Sequence, residues 1–278
     1  MTGRLPTVRG RHARRSNRIK RASAGLSPAR AGALLGILVT GAALYGVGAS
    51  DVFGYERLEL PETRYTDPES LRTILAVSKG ANLFELRTEP LAQRLRALPT
   101  VLDARVEVSL PDTLVVRIVE REPILVWRVG ELGYLVDPSG VIFTIVDEAT
   151  AGAAAELLAV TDARASSAGT IGPGTVIDPV DFDAATRLAA LVPDDIGSSA
   201  TSLAVTITDS SGFVVSTQPG SWVAVFGFYT PSQRKTELIP GQVRLLRSLL
   251  ADREAEIERI ILGDDNSGTY VPKRTPRP

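Results

Sequence analysis

Residues 104–123 read ARVEVSLPDTLVVRIVEREP, and the fold turns on this stretch. Ala104, Val106, Val108 and Leu110 alternate with Arg105, Glu107 and Ser109, a period of two that describes a half-buried strand. Pro111-Asp112 makes a turn, and Leu114, Val116 and Ile118 line one face of a second strand. Working backwards, the period is helical. Thr66-Asp67-Pro68-Glu69 places capping oxygens and a first-turn proline ahead of Leu71, Ile74 and Leu75, and Lys79-Gly80 closes that helix. Thr88-Glu89-Pro90 starts another, with Leu91, Leu95 and Leu98 inward until Pro99. Ahead of both, Tyr55, Leu58 and Leu60 form an extended run that stops at Pro61. Phe53 to Arg121 is therefore predicted as strand, helix, helix, strand, strand, with both helices on one face of a small sheet.

Downstream the strands multiply. Trp127 leads into Leu135-Val136, the turn Asp137-Pro138-Ser139-Gly140, and Val141-Ile142-Phe143. Residues 149–155, rich in Ala and Gly, are predicted as a loop, and Phe182 to Val192 as a short helix ended by Pro193. Leu203, Val205 and Ile207 alternate, Asp209 to Gly212 turns, and Phe213-Val214-Val215 returns. Gln218-Pro219-Gly220 turns again into Trp222, Val223, Val225 and Phe226, giving a meander of hairpins. A helix carrying Leu245, Leu246, Leu249 and Leu250 follows, which Pro240-Gly241 must start or kink. Ile257, Ile260 and Leu262 are predicted to end the ordered chain, leaving residues 263–278 as a flexible tail.

The net charge of −1 hides an asymmetry. Residues 1–30 carry nine Lys or Arg and no acid, so residues 51–278 balance at −10. Between them Ala31 to Ser50 is uncharged, and twenty residues at 1.5 Å rise span about 30 Å, the hydrocarbon thickness of a bilayer. Seven basic residues stand in the twenty positions before this run and only Arg57 and Arg64 in the twenty after. The positive-inside rule then puts residues 1–30 in the cytoplasm and 51–278 outside. A signal peptide cut near Val47-Gly48-Ala49 is the competing reading; the long tail, and a run longer than an h-region of about 7–15 residues, weigh against it.

The chemistry open to the chain is narrow. Without cysteine there is no disulfide, zinc-thiolate or cysteine nucleophile, and the one histidine is His12, in the basic tail. Asp194-Asp195 and Asp264-Asp265 stand beside Pro or Gly, where solvated acidic turns are the ordinary reading. No phosphate loop, nucleophile elbow or metal-ligand spacing is present. An enzyme, a cofactor and a nucleic-acid partner are not expected.

Several short runs then become recognisable together: Gly80-Ala81-Asn82-Leu83-Phe84, Leu98-Pro99-Thr100-Val101, Ala104-Arg105-Val106, Leu110-Pro111-Asp112-Thr113-Leu114 and Glu120-Arg121-Glu122-Pro123. In order and spacing, behind a membrane anchor, they resemble the POTRA domain of the FtsQ/DivIB cell-division family. The Leu135–Phe143 segment resembles the strand-turn-strand opening of that family's β domain. The resemblance implies an α+β chain: basic cytoplasmic tail 1–30, transmembrane helix 31–50, POTRA-like domain 53–121 (βααββ), and a mostly antiparallel β domain 122–262 with flanking helices. It also implies a non-catalytic, single-pass scaffold of the divisome, enriched at the septum, that links FtsB-like and FtsL-like partners to septal wall synthesis. A general envelope adaptor, or a peptidoglycan-binding or chaperone-like POTRA protein, is the alternative. By the same resemblance the partner site falls on the late strands, here Ile257, Ile260, Ile261 and Leu262 with Tyr270 just beyond; for those of Ile257, Ile260 and Leu262 that face inward, filling the core is the ordinary reading, and Tyr270 is the sharper candidate. A last strand with one neighbour leaves an edge open to an added strand, which is the physical case for that placement. The strand edge near residues 55–60 is a second candidate for receiving an extended segment, unless the POTRA-like part only spaces the β domain from the bilayer.

Overall fold

The computed structural model describes residues 27–48, 51–77 and 79–274. Most of the basic tail, residues 1–26, lies outside them, as do residues 275–278. The first helix, α1 (Pro28–Gly48), is 21 residues long, uncharged beyond Arg30, and long and apolar enough to cross a membrane. It forms one compact unit of the chain; everything from Asp51 onward forms the other.

In the second unit, β1 (Arg57–Glu59), α2 (Pro68–Ile74), α3 (Thr88–Arg96), β2 (Val101–Ser109) and β3 (Thr113–Glu120) follow the predicted order. The sheet runs β1-β3-β2: β1 pairs parallel with Thr113–Val115, and β2 pairs antiparallel along β3. Leu71, Leu75, Leu91 and Leu95 bury the helices' inner faces against Ala104, Val106, Leu114 and Val116, the positions the period-two pattern turned inward. One detail differs from the sequence reading. Asp67, not Thr66, caps α2, accepting from the amides of Glu69 (3.3 Å) and Ser70 (2.9 Å). Thr66 is buried instead, its hydroxyl donating to Glu120 at 2.7 Å.

The rest of the unit is one nine-stranded sheet. Its strands are β4 (Leu125–Val129), β5 (Leu132–Val136), β6 (Ile142–Ile145), β7 (Leu158–Asp162), β8 (Ser202–Thr208), β9 (Gly212–Gln218), β10 (Val223–Gly227), β11 (Ile257–Leu262) and β12 (Gly268–Pro272). Between them stand α4 (Ala151–Ala155), α5 (Pro179–Ala189) and α6 (Ile239–Leu250). The spatial order is β12-β11-β10-β9-β8-β7-β4-β5-β6. Pairings β4–β7, β7–β8 and β10–β11 are parallel and the other five antiparallel. Trp127, Val160, Val205, Val215, Ala224 and Ile260 share one core with Leu188 of α5 and Leu246 and Leu250 of α6, so these helices cover one face of the sheet.

Three expectations are corrected here. Residues 151–155 are helical rather than loop, the Ala-rich run making one short turn of helix. Helix α5 begins at Pro179, before Phe182, because Asp178 caps it through the amides of Val180 and Asp181. Residues 263–278 are not a loose tail throughout: Gly268–Pro272 form β12, antiparallel to β11, so the ordered sheet runs beyond residue 262.

The POTRA-like part and the β sheet are joined by a polar and aromatic junction. Glu120 accepts from the amides of Arg64 (2.6 Å), Tyr65 (2.9 Å) and Thr66 (2.7 Å), which aims the Tyr65 ring edge-on at Phe143, 5.3 Å between centroids. Next in sequence, Arg121 donates through Nε to the Pro99 carbonyl (3.0 Å) and through Nη1 to Asp137.

Candidate protein-binding edge

Strand β12 ends the sheet, and its location is set by the α6 crossover. A parallel neighbour for β10 requires a return path, and α6 supplies it. Arg234 then fixes the ends of both strands: Nη2 donates to the carbonyls of Phe226 (2.5 Å) and Leu262 (2.8 Å), and Nη1 to that of Gly263. The turn that follows is built on Asp264, whose carboxylate accepts from the amides of Asn266 (2.8 Å) and Ser267 (2.6 Å). Those backbone and side-chain donors hold its pKa below the usual carboxylate range. Asp264 and Asp195, which accepts from the Val192 amide at 3.0 Å, are thus occupied as turn acceptors. Among the described residues no group of His, Asp and Glu is arranged to hold a metal.

Two glycines admit this turn. A Cβ on Gly268 would meet Leu245 and Leu249 of α6 at 3.3 Å, so β12 begins hard against the helix. A Cβ on Gly241, in the first turn of α6, would lie 2.3 Å from the Cβ of Asp265. Gly→Ala within a helix ordinarily stabilises by about 1 kcal/mol. Here Gly241→Ala is expected to lower the melting temperature and to speed hydrogen exchange of the β12 amides, because the 264–266 turn must move aside.

The sequence-predicted site residues divide sharply. Ile257, Ile260 and Leu262 are buried in the core and face α6, so they hold β11 in place and cannot touch a partner. Strand β11 is not the edge, since β12 covers it. Ile261 and Tyr270 are exposed, Tyr270 at 43 %. Tyr270 pairs with Ile260 and, two residues from Gly268, points to the face that α6 covers. Val271, which sequence reasoning missed, pairs with Arg259 and is exposed on the other face together with Ile261. The edge strand therefore presents an apolar side chain on each face of the sheet and an unpaired ladder between them. The signal was present in the sequence: Asp265-Asn266-Ser267-Gly268 is a turn, and Thr269-Tyr270-Val271 is a β-branched and aromatic run.

Of the three other edge strands, β2, β6 and β1, two are short and partly blocked. At the start of β6, the amide of Ile142 donates to Thr175 (2.9 Å) and the amide of Gly174 to Ile142 (2.7 Å), so a loop covers the first residue of that four-residue strand. Strand β1 is three residues long, with exposed Arg57 bound to Asp112 at 2.6 Å and exposed Glu59, a short charged edge of the kind that resists augmentation. This is the edge the sequence placed near residues 55–60.

Behind β11, Glu254 ties three segments together. It accepts from Ser198 Oγ, Ser199 N (2.9 Å), Ser199 Oγ (2.8 Å) and Trp222 Nε1 (2.9 Å). Burial pushes its carboxyl up, but these donors outweigh burial and bring the pKa to about 2, from 4.5 unperturbed. The folded state holds the ionised form, so the gain is full above pH 4.5 and is lost as pH falls toward 2. Glu254→Gln is expected to lower stability by about 2 kcal/mol at neutral pH and much less near pH 3, measured by chemical denaturation at both.

A βααββ module joined to a mixed sheet, with no further strand beside β12 among the described residues, is the architecture of a POTRA-domain protein. Residues 54–121 match the family model described as POTRA domain, FtsQ-type, and this part of the chain belongs to that family. The chain is similar to the cell division protein FtsQ of Syntrophotalea carbinolica, 35 % identical over 113 residues, which covers 40 % of each chain. It is also similar to FtsQ of Chloroflexus aurantiacus, 33 % identical over 156 residues, or 56 % of this chain and 54 % of that one. FtsQ of Chloroflexus aggregans is 30 % identical over 155 residues, again 54 % of its length. The matched region thus spans about half the length of these relatives or less.

Proposed function

We propose that the chain is a non-catalytic, single-pass membrane scaffold of the bacterial division machinery. In this reading residues 31–50, largely within α1, span the cytoplasmic membrane, residues 1–30 are cytoplasmic, and the POTRA domain and nine-stranded sheet lie outside. Strand β12 receives an extended segment of an FtsB-like partner, with an FtsL-like protein in the same assembly, and so links them to septal wall synthesis. The observation that carries the reading is the joint occurrence of an FtsQ-type POTRA domain and a bare terminal strand with exposed Tyr270 and Val271. The names of the relatives and the flanking charge of α1 support it further. Backbone hydrogen bonds along β12 give affinity, and the alternating side chains give selectivity. The test is depletion together with a fluorescent fusion. Division arrest and midcell fluorescence are expected, and normal division with uniform envelope fluorescence would favour a general envelope adaptor. Reporters fused at residue 28 and after residue 274 are expected on opposite sides of the membrane.

A further inference from the structure

Three aromatic rings among the described residues of the folded unit are exposed, Phe84, Phe228 and Tyr270, and the first of them lies near its start. Phe84 is its most exposed aromatic side chain (59 %) and Val52 its most exposed aliphatic one (63 %). The two belong to one tip. Residues 53–55 are stapled to the loop 80–83 by backbone hydrogen bonds: Leu83 N to Phe53 O (2.9 Å), Tyr55 N to Ala81 O (2.9 Å) and Gly80 N to Tyr55 O (2.8 Å). Leu83 turns into the core, so its neighbour Phe84 must turn out, where its ring meets Phe53 edge-on at 4.9 Å. The loop is held at both ends, so the exposure of Phe84 is fixed by the fold. Lys79 and Arg87 are exposed to either side, without an ion pair among the described residues, and Glu85 is the acid between them.

Chain connectivity supplies the occupant. Val52 lies four residues beyond Gly48, the last residue of α1. Four residues reach at most about 14 Å fully extended, whatever the orientation of the folded unit. The headgroup layer on each side of the hydrocarbon core is about 5–8 Å thick. An apolar tip on so short a tether, flanked by cations, has the composition of a surface that seats in a lipid interface.

We infer that Val52, Phe53 and Phe84 insert into the interface of the leaflet beside the folded unit, with Lys79 and Arg87 toward anionic headgroups. This rests on reading α1 as a membrane span. The test uses the full chain in nanodiscs of anionic and zwitterionic phospholipid, with or without bromine near the headgroup end of the acyl chains. Trp127 and Trp222 are buried and give a constant background. Phe84→Trp is expected to lose emission about twofold in brominated nanodiscs, as is the control Tyr45→Trp within α1, while Phe228→Trp in the β domain keeps its emission. Quenching of Tyr45→Trp alone overturns the inference and leaves the span intact. No quenching of Tyr45→Trp overturns the span and the inference together. Equal quenching of Phe84→Trp and Phe228→Trp points to unspecific adsorption, and a blue-shifted but unquenched Phe84→Trp to coverage of the tip by protein; either overturns it.

Discussion

The triple change Ile261→Asp, Tyr270→Ala and Val271→Asp is expected to leave the chain folded and to abolish capture of the proposed FtsB-like partner. All three side chains are exposed, on or beside the bare strand. Removing apolar anchors from the centre of an interface weakens binding by about 2–4 kcal/mol, thirtyfold or more. The two aspartates add repulsion and desolvation that an incoming strand must overcome. The measurement is partner binding by the full chain in detergent, with circular dichroism and thermal unfolding as the folding control. Ile260→Asp is the instructive contrast. That side chain is fully buried against α6, so a charge there unfolds the sheet edge, and loss of binding would report only loss of structure. Wild-type affinity in the folded triple variant would remove β12 from consideration and turn attention to the POTRA sheet.

The second large effect belongs to Asp137. The sequence marks it as a turn former, and it is one: Oδ1 accepts from the amides of Ser139 and Val141, both at 2.9 Å. Its other oxygen binds the guanidinium of Arg121, and the residue is 2 % exposed. Asp137→Ala leaves a largely buried cation and two turn amides without their acceptor, which costs about 3–5 kcal/mol. Arg121→Ala strands the carboxylate and should cost nearly as much. The double variant should cost clearly less than the sum, because neither partner is then left charged and alone. Urea denaturation of the four proteins measures this coupling; strict additivity would mean that the pair is not what joins the two modules.

What could be read from residues alone followed the strength of the local signal. Strands β2 and β3 were legible because burial alternates along them residue by residue, and α3 because Thr88-Glu89-Pro90 and Pro99 bracket it. The meander from β8 to β10 was legible for the same reason. The order of the large sheet was not. Its three parallel pairings join segments distant in sequence, and no local pattern encodes which strands meet. For the candidate site the late strands and Tyr270 could be named from residues alone, but which way Ile257, Ile260 and Leu262 face could not, since α6 is what covers them. Residues 263–267 are a polar turn and not the end of order, so the sheet edge belongs to β12 and not to β11. Thr66 shows the same limit on a small scale. Its sequence position suits a cap, but Glu120, 54 residues away, competes for its hydroxyl and wins.

Strand β12 is also the last of the sheet's nine in chain order. Synthesis runs from the N-terminus, so Tyr270 and Val271 emerge after every other strand has been made. They acquire a defined edge only when α6 has carried β11 alongside β10. A partner that requires both side chains on a formed ladder therefore has nothing to grip on a half-made or half-folded domain. On the proposed docking at β12, the position of the edge in the chain makes recruitment a report of completion.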